Sequence, residues 1–250
     1  MRIALIPPIQ NLEYVKRGHM AMALTHFVLS NPEYAKFYRK LNMFKILDNS
    51  AYEDQLCDIE KVLEAAEMIK ADEVILPDII LDGQKTIEST EDALSIIRKK
   101  RLVRQYRWMA VPQGKTREEW WKCFKHLNRH ASINTIGLSK LSCPVAFNNT
   151  ITNARLEITA GIEKEGIASG KKAYHLLGGS YQLLTEVMCQ PAWIRSIDTS
   201  APFEFSKRER RLDRVKVEPK EKANLLVPLK ESDKELVEYN LNLLFNRNLQ

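Results

Sequence analysis

The sequence predicts a single-domain (β/α)8 barrel of the TIM type. Three observations lead there. Short apolar runs alternate with amphipathic stretches along the chain, nearly every run ends in an acid, an amide or a glycine, and 250 residues is the usual length of one such barrel. A hydrophobic content of 44% supplies one sizeable core, and no repeat, low-complexity tract or Gly/Ser linker divides the chain.

The first run is RIALIPP (2–8), and the segment after it, which holds His19 and His26, is assigned to a first helical region. FKILDNS (44–50) follows, then LCDIEKVLEAAEMIK (56–70), where Leu56, Ile59, Val62, Leu63, Ala66 and Ile69 share one helical face. EVILPDI (73–79) leads into a helix over 86–100. WMAVPQG (108–114) leads into one over 116–128, with Thr116 and Glu119 spaced as a capping box. Trp120 and Trp121 lie on that helix, where packing is expected of them. TIGLSKL (135–141), AYHLLGG (173–179) and IRSIDTS (194–200) are the fifth to seventh strands, and RVKV (214–217) is the eighth candidate. Residues 203–230 read as a basic, proline-punctuated connection to a last helix. Ser232 and Glu235 would cap that helix, which ends near Asn246.

Several function classes lose their signatures. There is no GxGxxG after the first run and no GxxxxGK[ST] loop, so dinucleotide and P-loop nucleotide sites are not expected. No window approaches the roughly 18 apolar residues of a membrane span, and MRIALIPPIQ lacks the pattern of an export signal. Cys57, Cys123, Cys143 and Cys189 are scattered without a CxxC pair, which fits a reducing compartment and small core thiols. The expectation is an intracellular, cytoplasmic protein with no metal, no cofactor and no membrane partner. The net charge of +6 permits nucleic-acid binding. One basic cluster is Arg98, Lys99, Lys100, Arg101, Arg104 and Arg107, equally open to solvent or phosphate. A second is Lys207, Arg208, Arg210, Arg211, Arg214 and Lys216, and its place directly after the seventh run tilts it toward phosphate.

The run ends carry the chemistry. Asp48, Asn49 and Ser50 close one run, Asp78 the next, then Gln113–Gly114, Gly137 to Lys140, Gly178–Gly179 and Asp198. In a parallel barrel these ends share one face, where the βα-loops build active sites. One Asp after a strand is commonly a turn residue or helix cap, but three at strand ends beside an amide converge. Carboxylates serve as nucleophile and as acid or base at an anomeric carbon. An Asp accepts from purine N–H groups while Gln donates to a carbonyl. The combination points to a nucleoside's glycosidic bond.

The series LDNSAYE, LPDII, VPQGKT, IGLSKL, YHLLGG and IDTSAP resembles, in the same order over about residues 44–202, the tRNA-guanine transglycosylase superfamily. Its members carry a DSGGFQ-like segment, a base-reading Asp, VQGG, IGGLAVG, a YLMGVG-like strand and DCVLPTR. The resemblance implies Asp198 as nucleophile and Asp48 as acid/base carboxylate. It implies Asp78 as reader of the guanine edge, with Gln113, Gly114, Gly137 and Leu138 lining the base site. The zinc segment that follows the nucleophile in the family is absent, Phe203 stands where an Arg follows the proline, and DSGG has become Asp48-Asn49-Ser50-Ala51. Short and zinc-free, the chain is most similar to the phage and mobile-element branch that inserts 7-deazaguanines into DNA. If it is phage-encoded, the host cytoplasm is its setting.

The implied activity is exchange of guanine in DNA for a 7-deazaguanine base through a covalent aspartyl-sugar intermediate, with DNA and the free base as partners and a partner protein allowed. Lys140, Lys207, Arg208, Arg210 and Arg211 are the expected backbone contacts, Lys140 being equally a solvated loop residue. Alternatives are tRNA as the substrate, an N-glycosylase that uses water in place of the incoming base, and a non-catalytic nucleic-acid-binding barrel. The three Asp weigh against the last. His175 is expected as a satisfied core group, and Tyr52 as either a base-stacking or a rim-packing residue.

Overall fold

In the computed structural model, which describes residues 1–51, 58–168, 170, 172–216 and 223–246, eight parallel strands close into a barrel in chain order. They are β1 (Arg2–Leu5), β2 (Met20–Leu24), β3 (Lys45–Asp48), β4 (Glu73–Ile75), β5 (Arg107–Ala110), β6 (Thr135–Ser139), β7 (Ala173–Leu177) and β8 (Ser196–Thr199). β8 pairs back with β1, Asp198 opposite Ala4, and β2 pairs with β3, Leu24 opposite Asp48. The predicted TIM-type barrel is the fold observed.

The helices are α1 (Thr25–Ser30), α2 (Pro32–Lys40), α3 (Ile59–Ile69), α4 (Gly83–Lys99) and α5 (Arg117–Arg129). After them come α6 (Ser142–Phe147), α7 (Ile151–Lys164), α8 (Leu183–Cys189), α9 (Ala201–Lys207) and α10 (Glu231–Asn246). Side-chain oxygens of Asn31, Asp58, Asp82, Thr116 and Thr150 accept from backbone N–H groups in the first turns of α2, α3, α4, α5 and α7. Glu119 departs from the expected capping box. Its carboxylate accepts from Lys115 N and from Gly83 N, 2.8 Å each, so it ties the start of α5 to the start of α4.

Strand alternation sorts the core into two layers. Ala4, Met20, Met22, Ile46, Ile75, Met109 and Val111 pack inside the barrel. Their neighbours, among them Ile3, Leu5, Leu47, Val74, Trp108, Ile136, Leu138, Leu176 and Ile197, pack outward under the helices. Trp120 is fully buried in that outer layer and stacks on Phe124, with centroids 5.4 Å apart. Cys123 and Cys143 are buried there too, and burial pushes their thiols up to about 11 and about 12. Cys189 is exposed, and Cys57 lies outside the described residues.

Three expectations fail. RVKV is not the eighth strand: Leu212–Arg214 form a 3-10 turn, Val215 and Lys216 join no strand, and Val217 lies outside the described residues. The missing strand is Met20–Leu24, in the stretch assigned to helix. MAMAL has no β-branched residue, and all five positions are buried, so neither propensity nor alternation marks it. The last helix begins at Glu231, and Asp233, rather than Ser232, closes its first turn by accepting from Lys230 N at 2.8 Å. Among the described residues no helix is long and apolar enough to cross a membrane.

Candidate active site

The C-terminal strand ends surround a cavity of about 410 Å³, a size common for small-molecule sites, which run from about 300 to 1,000 Å³. Asp48, Asp78, Asp198 and Gln113 all line it, joined by His26, Asn49, Ser139, Lys140 and Gly178. Ile6, Met22, Leu24, Ile75, Val111 and Leu177 make its apolar wall, and residues 223–226 cross its rim. Asn224 on that rim accepts from Lys207 Nζ, and Ile9 N donates to Leu225 O.

The three carboxylates occupy different surroundings. Asp78 is buried between two amides, Asn49 Nδ2 donating to Oδ1 at 2.7 Å and Gln113 Nε2 to Oδ2 at 2.6 Å. Gln113 Oε1 accepts from Leu81 N, which fixes the amide's orientation. Desolvation raises the Asp78 carboxyl from 3.8 to about 6, outweighing the two amide donors that pull the other way. Asp48 is half-buried and accepts from Ser50 N at 2.8 Å. Asp198 Oδ1 accepts from Gly178 N (2.9 Å) and lies 3.0 Å from His175 Nε2.

Other expected base contacts point elsewhere. Gly114 does not line the cavity. Its N–H and C=O both bond the Ser142 hydroxyl, and a Cβ there would sit 2.6 Å from Trp120 N, so this glycine serves packing against α5. Gly137 faces inward but is covered by Leu177 Cδ1, 2.6 Å from where its Cβ would be. Leu138 turns outward into the core, and its carbonyl accepts from Arg155 Nη2 at 2.7 Å. A strand's period of two explains Leu138: with Gly137 and Ser139 inside, their neighbour must face out.

The basic residues divide in the same way. Of Lys140, Lys207, Arg208, Arg210 and Arg211, Lys140 lines the cavity, its stem lying over Gly178. Lys207 pairs with Glu204 at 2.5 Å, and Arg211 pairs with Asp213 and lies on the Tyr239 ring. Arg210 is exposed in a separate groove with Arg214 and Lys216. In the other cluster, Arg98 and Lys100 pair with Glu91 and Glu60, and Arg107 opens β5 at the end of the barrel opposite the cavity. Tyr52 lies outside the described residues.

Sequence reasoning gave no role to His26 or Asn49. His26 follows the unrecognised β2, and its Nδ1 lies 2.9 Å from Ser50 Oγ. The parallel register that sets Leu24 beside Asp48 brings it to the site, and no local pattern encodes that register. Among the described residues no group of three or more His, Cys, Asp or Glu side chains is placed to hold a metal.

No family model and no curated protein matches the chain. Among solved structures it is similar to an HpcH/Hpal aldolase/citrate lyase family protein from Burkholderia cenocepacia, at 10% identity and a TM-score of 0.51, covering 83% of this chain and 90% of that one. It also matches RipC from Yersinia pestis at 9% identity and a TM-score of 0.45, covering 96% and 94% of the two chains. What is shared with the first is the barrel fold.

Proposed function

We propose that this chain is a pentosyltransferase that exchanges guanine in DNA for a 7-deazaguanine base. The observation that carries the reading is that Asp48, Asp78, Asp198 and Gln113, which the motif series singles out one by one, line a single cavity. Backbone conformation at the DSGG-like segment supports it too. Ser50 stands where the family motif has glycine and holds φ at 64°, a region that glycine enters without strain.

In the proposed reaction a guanosine unit leaves its stack, at a cost of about a few kcal/mol, and enters the cavity. The ionised Asp78 accepts from the ring N–H and the exocyclic amine, taking the place of its amide contacts, while Gln113 turns its amide N–H to the guanine carbonyl. Asp198 Oδ2, which has no partner among the described residues, attacks C1′ as the C1′–N9 bond breaks. The bonding pair leaves with guanine, which takes up a proton from Asp48. The incoming 7-deazaguanine loses its N9 proton to Asp48 and attacks C1′, which releases Asp198.

The test is incubation with labelled guanine and either DNA or tRNA, followed by a labelled 7-deazaguanine. Label in DNA, absent from tRNA and lost in Asp198→Ala, is the expected result. Label in tRNA alone overturns the DNA assignment, free guanine without an incoming base marks a glycosylase, and full exchange by Asp198→Asn removes the nucleophile.

A further inference from the structure

A buried polar chain runs through the barrel from its floor to Asp198. Glu73, fully buried at the start of β4, takes a bidentate pair from Arg195, Nη1 to Oε2 at 2.7 Å and Nη2 to Oε1 at 2.8 Å. Burial raises the Glu73 carboxyl, but the Arg195 contact, together with the nearby His175 and Arg107, more than offsets this and holds the group below its ordinary value. With both terminal nitrogens engaged there, Arg195 Nε donates to Ser196 Oγ at 3.0 Å. Ser196 Oγ lies 2.7 Å from His175 Nδ1, and His175 Nε2 lies 3.0 Å from Asp198 Oδ1. His175 and Ser196 are both fully buried.

The proton positions follow from this order. Ser196 Oγ accepts from Arg195, so its own proton is available to His175 Nδ1. A proton on Nδ1 in a neutral ring would set the bare Nε2 lone pair against a carboxylate oxygen at 3.0 Å. Burial disfavours the doubly protonated ring. For the neutral ring one arrangement satisfies both contacts: Nδ1 accepts from Ser196 and Nε2 donates to Asp198.

We infer that His175 is a positioning residue for Asp198, held as its Nε2–H tautomer by the chain Glu73–Arg195–Ser196. Its N–H and that of Gly178 both occupy Oδ1, and this leaves Oδ2 as the reacting oxygen. The role in exchange rests on the base-exchange reading, whereas the tautomer does not.

Two measurements decide it. In ¹⁵N-histidine NMR of the full chain, with His175 assigned by its loss in His175→Gln, Nε2 is expected protonated and Nδ1 bare. A proton on Nδ1, alone or with Nε2, overturns the inference. In exchange assays, His175→Phe fills the space without a donor and is expected to lower kcat on the order of 10²-fold, with guanine affinity by equilibrium dialysis unchanged. His175→Gln carries an N–H near the Nε2 position and should recover most of that loss. Equal activity in the two variants, or a loss confined to affinity, also overturns it. If the wild-type chain exchanges no base into DNA or tRNA, the base-exchange reading fails by itself, and the NMR result still decides the tautomer.

Discussion

Asp78 offers a quantitative test of the site, because its environment predicts a stability slope of unusual sign. A carboxylate in an ion pair has a lowered pKa and loses its stabilisation as pH falls. Asp78 is buried with two neutral amides and no cation among its described partners, and its pKa rises from 3.8 to about 6. The folded state therefore holds the proton more tightly than the unfolded state. Between those values the folded chain binds more protons, so unfolding free energy falls as pH rises. Asp78's contribution is fully present below about pH 4 and lost by about pH 7. At ~1.4 kcal/mol per pKa unit the gap corresponds to about 3 kcal/mol. Asp78→Asn has no such titration, but its amide would meet the Asn49 and Gln113 donors, a pH-independent penalty. The diagnostic is thus the pH dependence of the difference between the two proteins. Urea unfolding of both from pH 4 to pH 8 should show wild type losing most of this, about 2.5 kcal/mol, relative to the variant. A flat difference, or one growing in favour of wild type, would refute the argument that Asp78 is ionised against its own desolvation.

Three further outcomes follow from the packing. Arg195→Met leaves Glu73 as a buried charge with only the partly exposed Arg107 beside it, which should cost about 3 kcal/mol in chemical denaturation; Glu73→Leu in the same chain should restore much of it. Arg155 is fully buried and bonds Glu186 and the carbonyls of Leu138, Leu177 and Gly178, so Arg155→Met should cost about 3–5 kcal/mol. That change should also weaken guanine binding in dialysis, since Gly178 borders the cavity. Gly114→Ala pushes a methyl group against the backbone of Trp120 and should cost about 1–3 kcal/mol, read as a fall in Tm of several degrees.

Seven of the eight strands were legible as apolar runs, and every one of the seven but β1 ends in polar or glycine residues. β2 was not, because a strand buried on both faces and made of Met, Ala and Leu carries no alternation and little β propensity. RVKV shows the converse, an alternating pattern whose described residues, Arg214 to Lys216, join no strand. The same division holds at the site. Asp48, Asp78, Gln113 and Asp198 were readable as strand-end residues, and fold topology alone brings such ends together. Gly114, Gly137 and Leu138 are not among the residues that line the cavity, since a motif match gives a residue's place along the strand but not what fills the space beside it. His175 was expected as a satisfied core histidine, and it is one, yet its partners are Ser196 and Asp198. Residues 21 and 23 positions away supply those contacts, and no local window contains them.

Three identical side chains acquire different capacities through their surroundings, which is how carboxylates divide labour in one site. Asp78 has amides on both oxygens and is almost wholly buried at the cavity wall, so its ionisation is finely balanced and an incoming N–H edge would shift it toward the anion. Asp198 has both described donors on one oxygen, an asymmetry suited to a nucleophile that must form one bond and later release it. Asp48 is less buried than the other two and accepts from Ser50 N in its own loop, and in the proposed reaction its place at the cavity wall lets it exchange a proton with entering and leaving groups. Exchanging the environments should therefore matter as much as removing the groups. Asn49→Asp would place a second carboxylate 2.7 Å from Asp78 Oδ1, and the pair would share a proton. Guanine affinity should then fall as the Asp78 edge ceases to be anionic, while Asp198 keeps its donors. An undiminished affinity in that variant would show that Asp78 does not read the base.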